Sequence, residues 1–245
     1  MIGENRKLGE TVENWSPPPE PSSDMRLEGE YVSLQPLSAE VHGEDLFEAN
    51  ALDADGAIWD YLAYGPFASL DDYLEWVKSM EGKPDPCFLA IQRKDSGEFC
   101  GVASFMRITP KAGTMEVGHL CFSPKLQKNI AATEAMYLMM KWAFEAGYRR
   151  YEWKCNALNL ASRRAAQRLG FSYEGIFRQA LVTKGRNRDT AWFAAIDKEW
   201  PELEKAFQTY LDPGNFDQDG LQIKSLSSLT RKLLFKTDPD LDGPE

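Results

Sequence analysis

The side chains of this sequence that could do chemistry gather between Glu116 and Phe171. Glu116 is the one carboxylate on an alternating apolar run, Met115 to Phe122, that is ended by Pro124. A carboxylate held on a strand is a candidate general base, able to take a proton from an attacking group; its bland alternative is an ion-paired glutamate at a strand start. After the strand comes Gln127-Lys128-Asn129-Ile130-Ala131-Ala132-Thr133, which leads into a long helix. The free N–H groups and positive dipole end of a helix start stabilise an anion, and Lys128 adds a charge. Ile130 is the awkward residue, because a β-branched side chain does not easily take positive φ. Either the backbone is regular there or anion binding is weakened. Farther on, Asn159 is a suitable N-cap, and Ser162 stands one turn below it on the same helix face. Ser162 then either presents a hydroxyl or merely helps to cap. Arg163 and Arg164 either meet an anion or form a solvated basic face.

The elements that must position these residues have clear markers. Ala135, Leu138, Met139, Trp142 and Ala146 fall at spacings of three and four, so a helix runs from Ala131 to Ala146, and Gly147 stops it. Tyr151 to Cys155 reads as a short strand. The second helix turns Ser162, Ala165, Ala166 and Leu169 inward and closes at Gly170. Upstream, the pattern predicts a strand over Arg26 to Leu37, helices over Glu40 to Leu52 and Leu70 to Met80, and strands over Cys87 to Gln92 and Phe99 to Arg107. Downstream it predicts strands over Tyr173 to Thr183 and Thr190 to Ile196, joined by Lys184-Gly185-Arg186-Asn187. Helices over Glu199 to Leu211 and Leu221 to Leu234 follow, and Asp238 to Glu245 is acidic enough to be disordered.

The segment Gln127 to Ala132, with Pro124 three residues before it, resembles the Q/R-x-x-G-x-G/A loop of the GNAT superfamily of N-acetyltransferases. Asn159-x-x-Ser162, followed by Arg163, Arg164, Ala165, Ala166, Leu169, Gly170 and Phe171, and then by Glu174-Gly175-x-x-Arg178, is similar to the RimJ/RimL-like branch. The likeness extends from Arg26 to Lys198. It implies an α/β (α+β) fold, a mixed and mostly antiparallel sheet of about seven strands flanked by helices. Two of those strands would splay apart at the acetyl-CoA site, with Gly118 allowing the distortion.

The implied activity is transfer of acetyl from acetyl-CoA, as co-substrate, to a primary amine by direct attack in a ternary complex. The resemblance assigns Gln127, Lys128, Asn129, Ile130, Ala131, Ala132 and Thr133 to the pyrophosphate, and the amides of Leu120, Cys121 and Phe122 to the thioester. Asn159 would touch pantetheine, Arg163 the CoA phosphates, and Ser162 would protonate the leaving sulfur, with Glu116 as base. Trp59, Tyr61, Tyr64 and Phe67 would form part of the acceptor wall, or else cover core, since aromatics dominate burial. A non-catalytic acyl-CoA-binding module on the same fold is the alternative. The acceptor is a small amine or a peptide N-terminus.

Length and composition agree with one globular body carrying ornaments. The 245 residues divide into a Pro-rich extension over 1–24, a catalytic domain over 25–198, and a helical extension with an acidic tail over 199–245. With 43% hydrophobic and 27% charged residues, no long apolar run and no leader pattern, the expectation is a cytoplasmic protein without a membrane partner. The net charge of -10 disfavours a nucleic-acid partner and is compatible with a cationic amine. Cys87, Cys100, Cys121 and Cys155 have no C-x-x-C spacing and read as reduced and buried; with two histidines, His42 and His119, no metal site is expected. The chain is read as a monomer or homodimer.

Overall fold

The computed structural model describes residues 8–218 and 221–241. Eight strands form one open sheet: β1 (Leu27–Glu28), β2 (Val32–Pro36), β3 (Cys87–Arg93), β4 (Phe99–Thr109), β5 (Thr114–Phe122), β6 (Arg150–Asn156), β7 (Ser172–Thr183) and β8 (Arg186–Ile196). Their order is β1-β2-β3-β4-β5-β6-β8-β7. Only β5 and β6 pair in parallel, and a parallel pair needs a crossover, which α3 (Ile130–Glu145) supplies. The others are α1 (Ala39–Ala51), α2 (Leu70–Met80), α4 (Leu160–Arg168), α5 (Trp200–Leu211) and α6 (Leu226–Thr230).

Alternation along the strands divides the apolar residues between two layers. Phe88, Ala90 and Val102 meet Leu46 of α1 and Tyr73 and Val77 of α2 on one face. Leu89, Phe105, Met115, Val117, Tyr151 and Phe193 meet α3, α4 and α5 on the other. The sheet is thus a partition between two helical layers, and anything that opens it joins them.

The last strand, expected from Thr190, already begins at Arg186, and the structure departs from the sequence reading in three further places. The strand expected over Arg26 to Leu37 breaks into β1 and β2, giving eight strands. Glu134 of α3 is the reason: its buried carboxylate accepts the N–H groups of Glu30, Tyr31 and Val32 at 2.8, 2.6 and 2.9 Å. Gly29 makes this possible, because a Cβ there would collide with the Glu134 carboxylate. The helix expected over Leu221 to Leu234 shortens to α6 and a 3-10 turn over Arg231–Leu233. Asn215 holds the preceding chain out of helix by bonding both the N–H and the carbonyl of Lys224, and Ser225 then caps α6. Finally, the tail expected to be disordered from Asp238 is packed as far as Leu241, with Asp238 fully buried; the rest of that stretch, 242–245, lies outside the described residues.

The N-terminal extension has no helix or strand over residues 8–24, yet it lies on the body: Tyr148 Oη donates to the Pro19 carbonyl at 3.0 Å. No helix among the described residues is long and apolar enough to cross a membrane. The four cysteines are free and buried.

Candidate active site

Pairing between β5 and β6 runs from Thr114 opposite Arg150 to Val117 opposite Trp153 and stops there. Both strands continue, β5 held by β4 and β6 by β8. Their inner backbone groups therefore face a gap instead of each other. The cause is local to β5. Its register with β4 shifts between Val102 and Ser104, opposite Gly118 to Cys121, and His119 takes a left-handed φ of 52°. Histidine tolerates that region better than most side chains, and Gly118 carries no Cβ where Met106 crowds in. Such a bulge bends its strand away from the neighbour.

The gap opens into a cleft of about 1550 Å³ that reaches both helical layers. On the α3 side it is lined by Gln127, Lys128, Asn129, Ile130, Ala132 and Thr133. Gln127 Nε2 donates to the Phe122 carbonyl at 2.8 Å and ties the loop to the end of β5. The left-handed residue of the loop is Lys128, at φ 55°, and Ile130 is simply the first residue of α3. That is why a β-branched side chain is accommodated here. Asn129 caps the helix by accepting the Ala131 N–H at 2.9 Å on its side chain and the Ala132 N–H at 3.2 Å on its carbonyl, so the N–H groups left for an outside acceptor are those ahead of Ala131. Leu120 and Phe122 line the cleft, whereas Cys121 and Ala131 point into the body and are 2% exposed.

At the start of α4, Asn159 and Ser162 line the same cleft. Asn159 Oδ1 accepts the Ser162 N–H at 3.0 Å, so it does cap. Ser162 Oγ accepts from Trp153 Nε1 at 3.0 Å. An indole N–H can only donate, so this bond commits the serine oxygen as acceptor and leaves its proton to be given, with the Cys155 sulfur the acceptor at hand. Arg163 is a correction to the sequence reading. It turns away from the cleft into a buried clamp, donating to Asp238 at 2.7 and 2.6 Å and to Asp240 at 2.7 Å. A guanidinium fork matched to a buried carboxylate stays with it. Arg164 and Arg168 are the arginines of α4 that line the cleft.

On the far side of the gap stands Glu116, its side chain 4% exposed. It accepts from Arg107 Nε at 2.8 Å and from Lys154 Nζ at 3.0 Å. Lys154 in turn reaches Glu152 at 2.6 Å and lies 3.8 Å above the Trp192 ring. Burial pushes the Glu116 carboxyl above its ordinary range, against the pull of Lys154 and Arg107. His119 lines the cleft as well, with burial holding its pKa below the ordinary value, so it is neutral at pH 7.

Of the four aromatics expected at the acceptor wall, only Tyr61 lines the cleft. Trp59 closes a 3-10 turn over Ala57–Trp59, in which residues three apart share a face. Ala57, Ile58, Asp60 and Tyr61 line the cleft while Trp59 turns in and is buried. Its ring meets Tyr64 and Phe67 at 6.2 and 5.4 Å. Tyr64 supports the site from behind, stacked on His119 at 5.6 Å. The wall is clasped from across the cleft by Lys184, whose Nζ donates to the Trp59 carbonyl at 2.8 Å.

Sequence reasoning missed His119, Arg107, Lys154 and Arg188, all of which line the cleft. For Lys154 a signal existed: a lysine inside a buried strand, two residues from Glu152, requires carboxylate partners. For Arg188 there was none, because Arg186 to Asp189 has no apolar alternation, and pairing with β7 makes it strand.

Residues 32–172 match the family model described as the acetyltransferase (GNAT) domain. A GCN5-related N-acetyltransferase from Brucella melitensis is 44% identical, over 89% of this chain and 99% of its own, with a TM-score of 0.87. A probable GNAT acetyltransferase from Chromobacterium violaceum is 39% identical, over 80% and 98%, with a TM-score of 0.74. RimL, a ribosomal L7/L12 α-N-protein acetyltransferase, shares the fold at 21% identity, over 70% and 94%, with a TM-score of 0.61. No curated sequence matches the chain at a significant level.

Proposed function

The chain belongs to the GNAT N-acetyltransferase family, whose members use acetyl-CoA, and from that premise we propose that it acetylates a primary amine, of a small molecule or a peptide N-terminus, by direct attack within a ternary complex in the β5–β6 cleft. The observation that carries this is the end of strand pairing at Val117 and Trp153. It leaves a passage through the sheet with an anion-binding helix tip on one side and a buried carboxylate on the other.

Acetyl-CoA supplies the acetyl group as a thioester. The tip of α3, Lys128 and the neighbouring Arg164 and Arg168 receive its phosphates, in keeping with the charge and free N–H groups there. The unpaired edge of β5 from Gly118 to Phe122 offers fixed backbone donors toward the reacting carbonyl, where a donor aimed at developing charge is a large catalytic contribution. Glu116 accepts the proton of the attacking amine, directly or through water. Its raised pKa makes it a better proton acceptor than an ordinary carboxylate, and Arg107 and Lys154 hold it in one orientation. Ser162, committed by Trp153 to donate, protonates the departing sulfur. Cys155 also lines the cleft, but burial pushes its thiol up, and a thiol that is not ionised is a poor nucleophile. That favours direct transfer over an acetyl-enzyme.

Acetyl-CoA is expected to raise the melting temperature, since a ligand at about 100 times its Kd stabilises by about 2.7 kcal/mol. Lys128→Ala is expected to shrink that rise, more strongly at low salt, because an exposed charge acts over a screened distance. Thermal melts with millimolar acetyl-CoA decide it; an unshifted melt in the parent protein overturns the cofactor assignment.

A further inference from the structure

Several of the cations on the sheet and around the cleft have a carboxylate. Lys154 has Glu116 and Glu152, Arg107 has Glu116, Arg150 has Glu152 and Glu174, and Arg163 has Asp238 and Asp240. Arg188 differs. It is half-buried, it lines the cleft, and among the described residues it forms no ion pair. Its one hydrogen bond is from Nε to Thr190 Oγ1 at 3.3 Å, which leaves the two terminal amino groups of the fork uncommitted.

Register fixes where Arg188 stands. Lys154 is opposite Trp192, and Arg188 lies four residues before Trp192 on β8, so Lys154, Trp192 and Arg188 share one face of the sheet. Glu116 is opposite Glu152, two residues before Lys154, and belongs to that face too. This is the acceptor side, away from α3 and α4. Arg188 is close enough to Glu116 and Arg107 for their charges to act on it, and burial weakens its hold on its proton. The formal charges at this end of the cleft balance, Arg107, Lys154 and Arg188 against Glu116, Glu152 and the exposed Asp60 on the rim, and of the three cations Arg188 is the one without a carboxylate in contact. Two of the cations are spent on Glu116. The excess negative charge of the whole chain does not extend into the acceptor end, so a polycationic amine is poorly matched to it.

We propose that Arg188 is a specificity-determining residue that binds a carboxylate carried by the acceptor amine. The inference rests on the acetyl-transfer reading above and names its substrate class, amines that also bear a carboxylate. A planar, singly charged carboxylate fits the two free amino groups of one guanidinium. A phosphate dianion would call for further donors, such as a helix N-terminus, and the helix tips of this cleft lie at its other end. The amine of the same molecule is then directed to Glu116, on the same face. Leu181 and Thr183 of β7 close this corner, and the bond from Lys184 to Trp59 holds the hairpin over it.

The test is an acceptor panel of amino acids, ω-amino acids and short acidic peptides, each paired with its carboxamide and its decarboxylated amine. CoA release is followed for the parent protein, Arg188→Gln and Arg188→Lys. The expected result is a preference for the acid over its amide of about 10- to 100-fold in kcat/KM, the range of a hydrogen-bonded charge. Arg188→Gln abolishes the preference by raising KM for acids and leaves the amides unchanged. Arg188→Lys keeps part of it, and both variants keep the parent's melting-temperature rise with acetyl-CoA. Amides used as well as acids, or a loss in Arg188→Gln shared equally by both, overturns the inference while acetyl transfer stands. Failure of every amine to release CoA overturns acetyl transfer and this inference with it.

Discussion

Replacing Glu116 with Gln lowers kcat about 10²- to 10⁴-fold, the usual contribution of a positioned base, while the melting-temperature rise with acetyl-CoA is unchanged. Gln keeps the size and can still accept from Arg107, and Lys154 retains Glu152 at 2.6 Å, so the surroundings lose no partner outright. The pH dependence gives the sharper reading. A carboxylate works as a base only when ionised, and burial raises the Glu116 pKa above its ordinary 4.5, so parental kcat climbs with pH through that raised value. In the Gln variant this limb is absent. At still higher pH, free amine becomes abundant and the gap between variant and parent narrows. Rates within about threefold of the parent, with the acid limb retained, would remove Glu116 from the proton path. Neutral His119, in the same cleft, would be the acceptor that remains.

Asp238→Ala lowers stability by about 3–5 kcal/mol, because it leaves the Arg163 guanidinium buried without its main partner. The Arg163 side chain is 4% exposed and Asp238 fully buried, so water cannot replace the lost bonds. Asp240 also pairs with Arg163, but its own side chain is 60% exposed and it compensates little. At about 2–4 °C per kcal/mol for a chain of this size, the melting temperature falls by about 6–20 °C. The double replacement Arg163→Met with Asp238→Leu recovers much of the loss, since removing both charges leaves nothing unpaired. Melts of the single and double variants test this, and a single variant that melts within about 2 °C of the parent contradicts the clamp. The clamp matters to function because Arg163 is adjacent to Ser162, so the C-terminal segment braces the start of α4.

The elements around the cleft were legible because each has a local cause. The helical period of α3, the Asn159 cap and the glycine stops at Gly147 and Gly170 depend on neighbours a few residues away. The loop from Gln127 to Thr133 was legible too, although its left-handed residue turned out to be Lys128 and not the position of Ile130. What escaped depends on partners far along the chain. Arg163 reads as a contact to the CoA phosphates or as a basic surface residue until Asp238, 75 positions later, is folded over it. The break between β1 and β2 is made by Glu134, more than a hundred positions away. Arg188 falls between the expected turn at Lys184 to Asn187 and the expected strand from Thr190, because no apolar alternation surrounds it, and only pairing across the β7–β8 hairpin puts it on the acceptor face. The aromatic segment from Trp59 to Phe67 divides between wall and core by packing, since Trp59, Tyr64 and Phe67 meet one another and the rings of Tyr73 and Trp76 on α2, partners that composition does not encode.

Initial rates measured while acetyl-CoA and the amine are varied together bear most directly on the central claim, that both substrates meet in the β5–β6 gap and react without an acetylated enzyme. Direct attack gives intersecting double-reciprocal lines, with CoA and acetylated amine formed in equal amounts and unacetylated protein by mass spectrometry. Parallel lines with acetyl found on the protein, at Cys155 or elsewhere, would mean a two-step transfer and contradict the account.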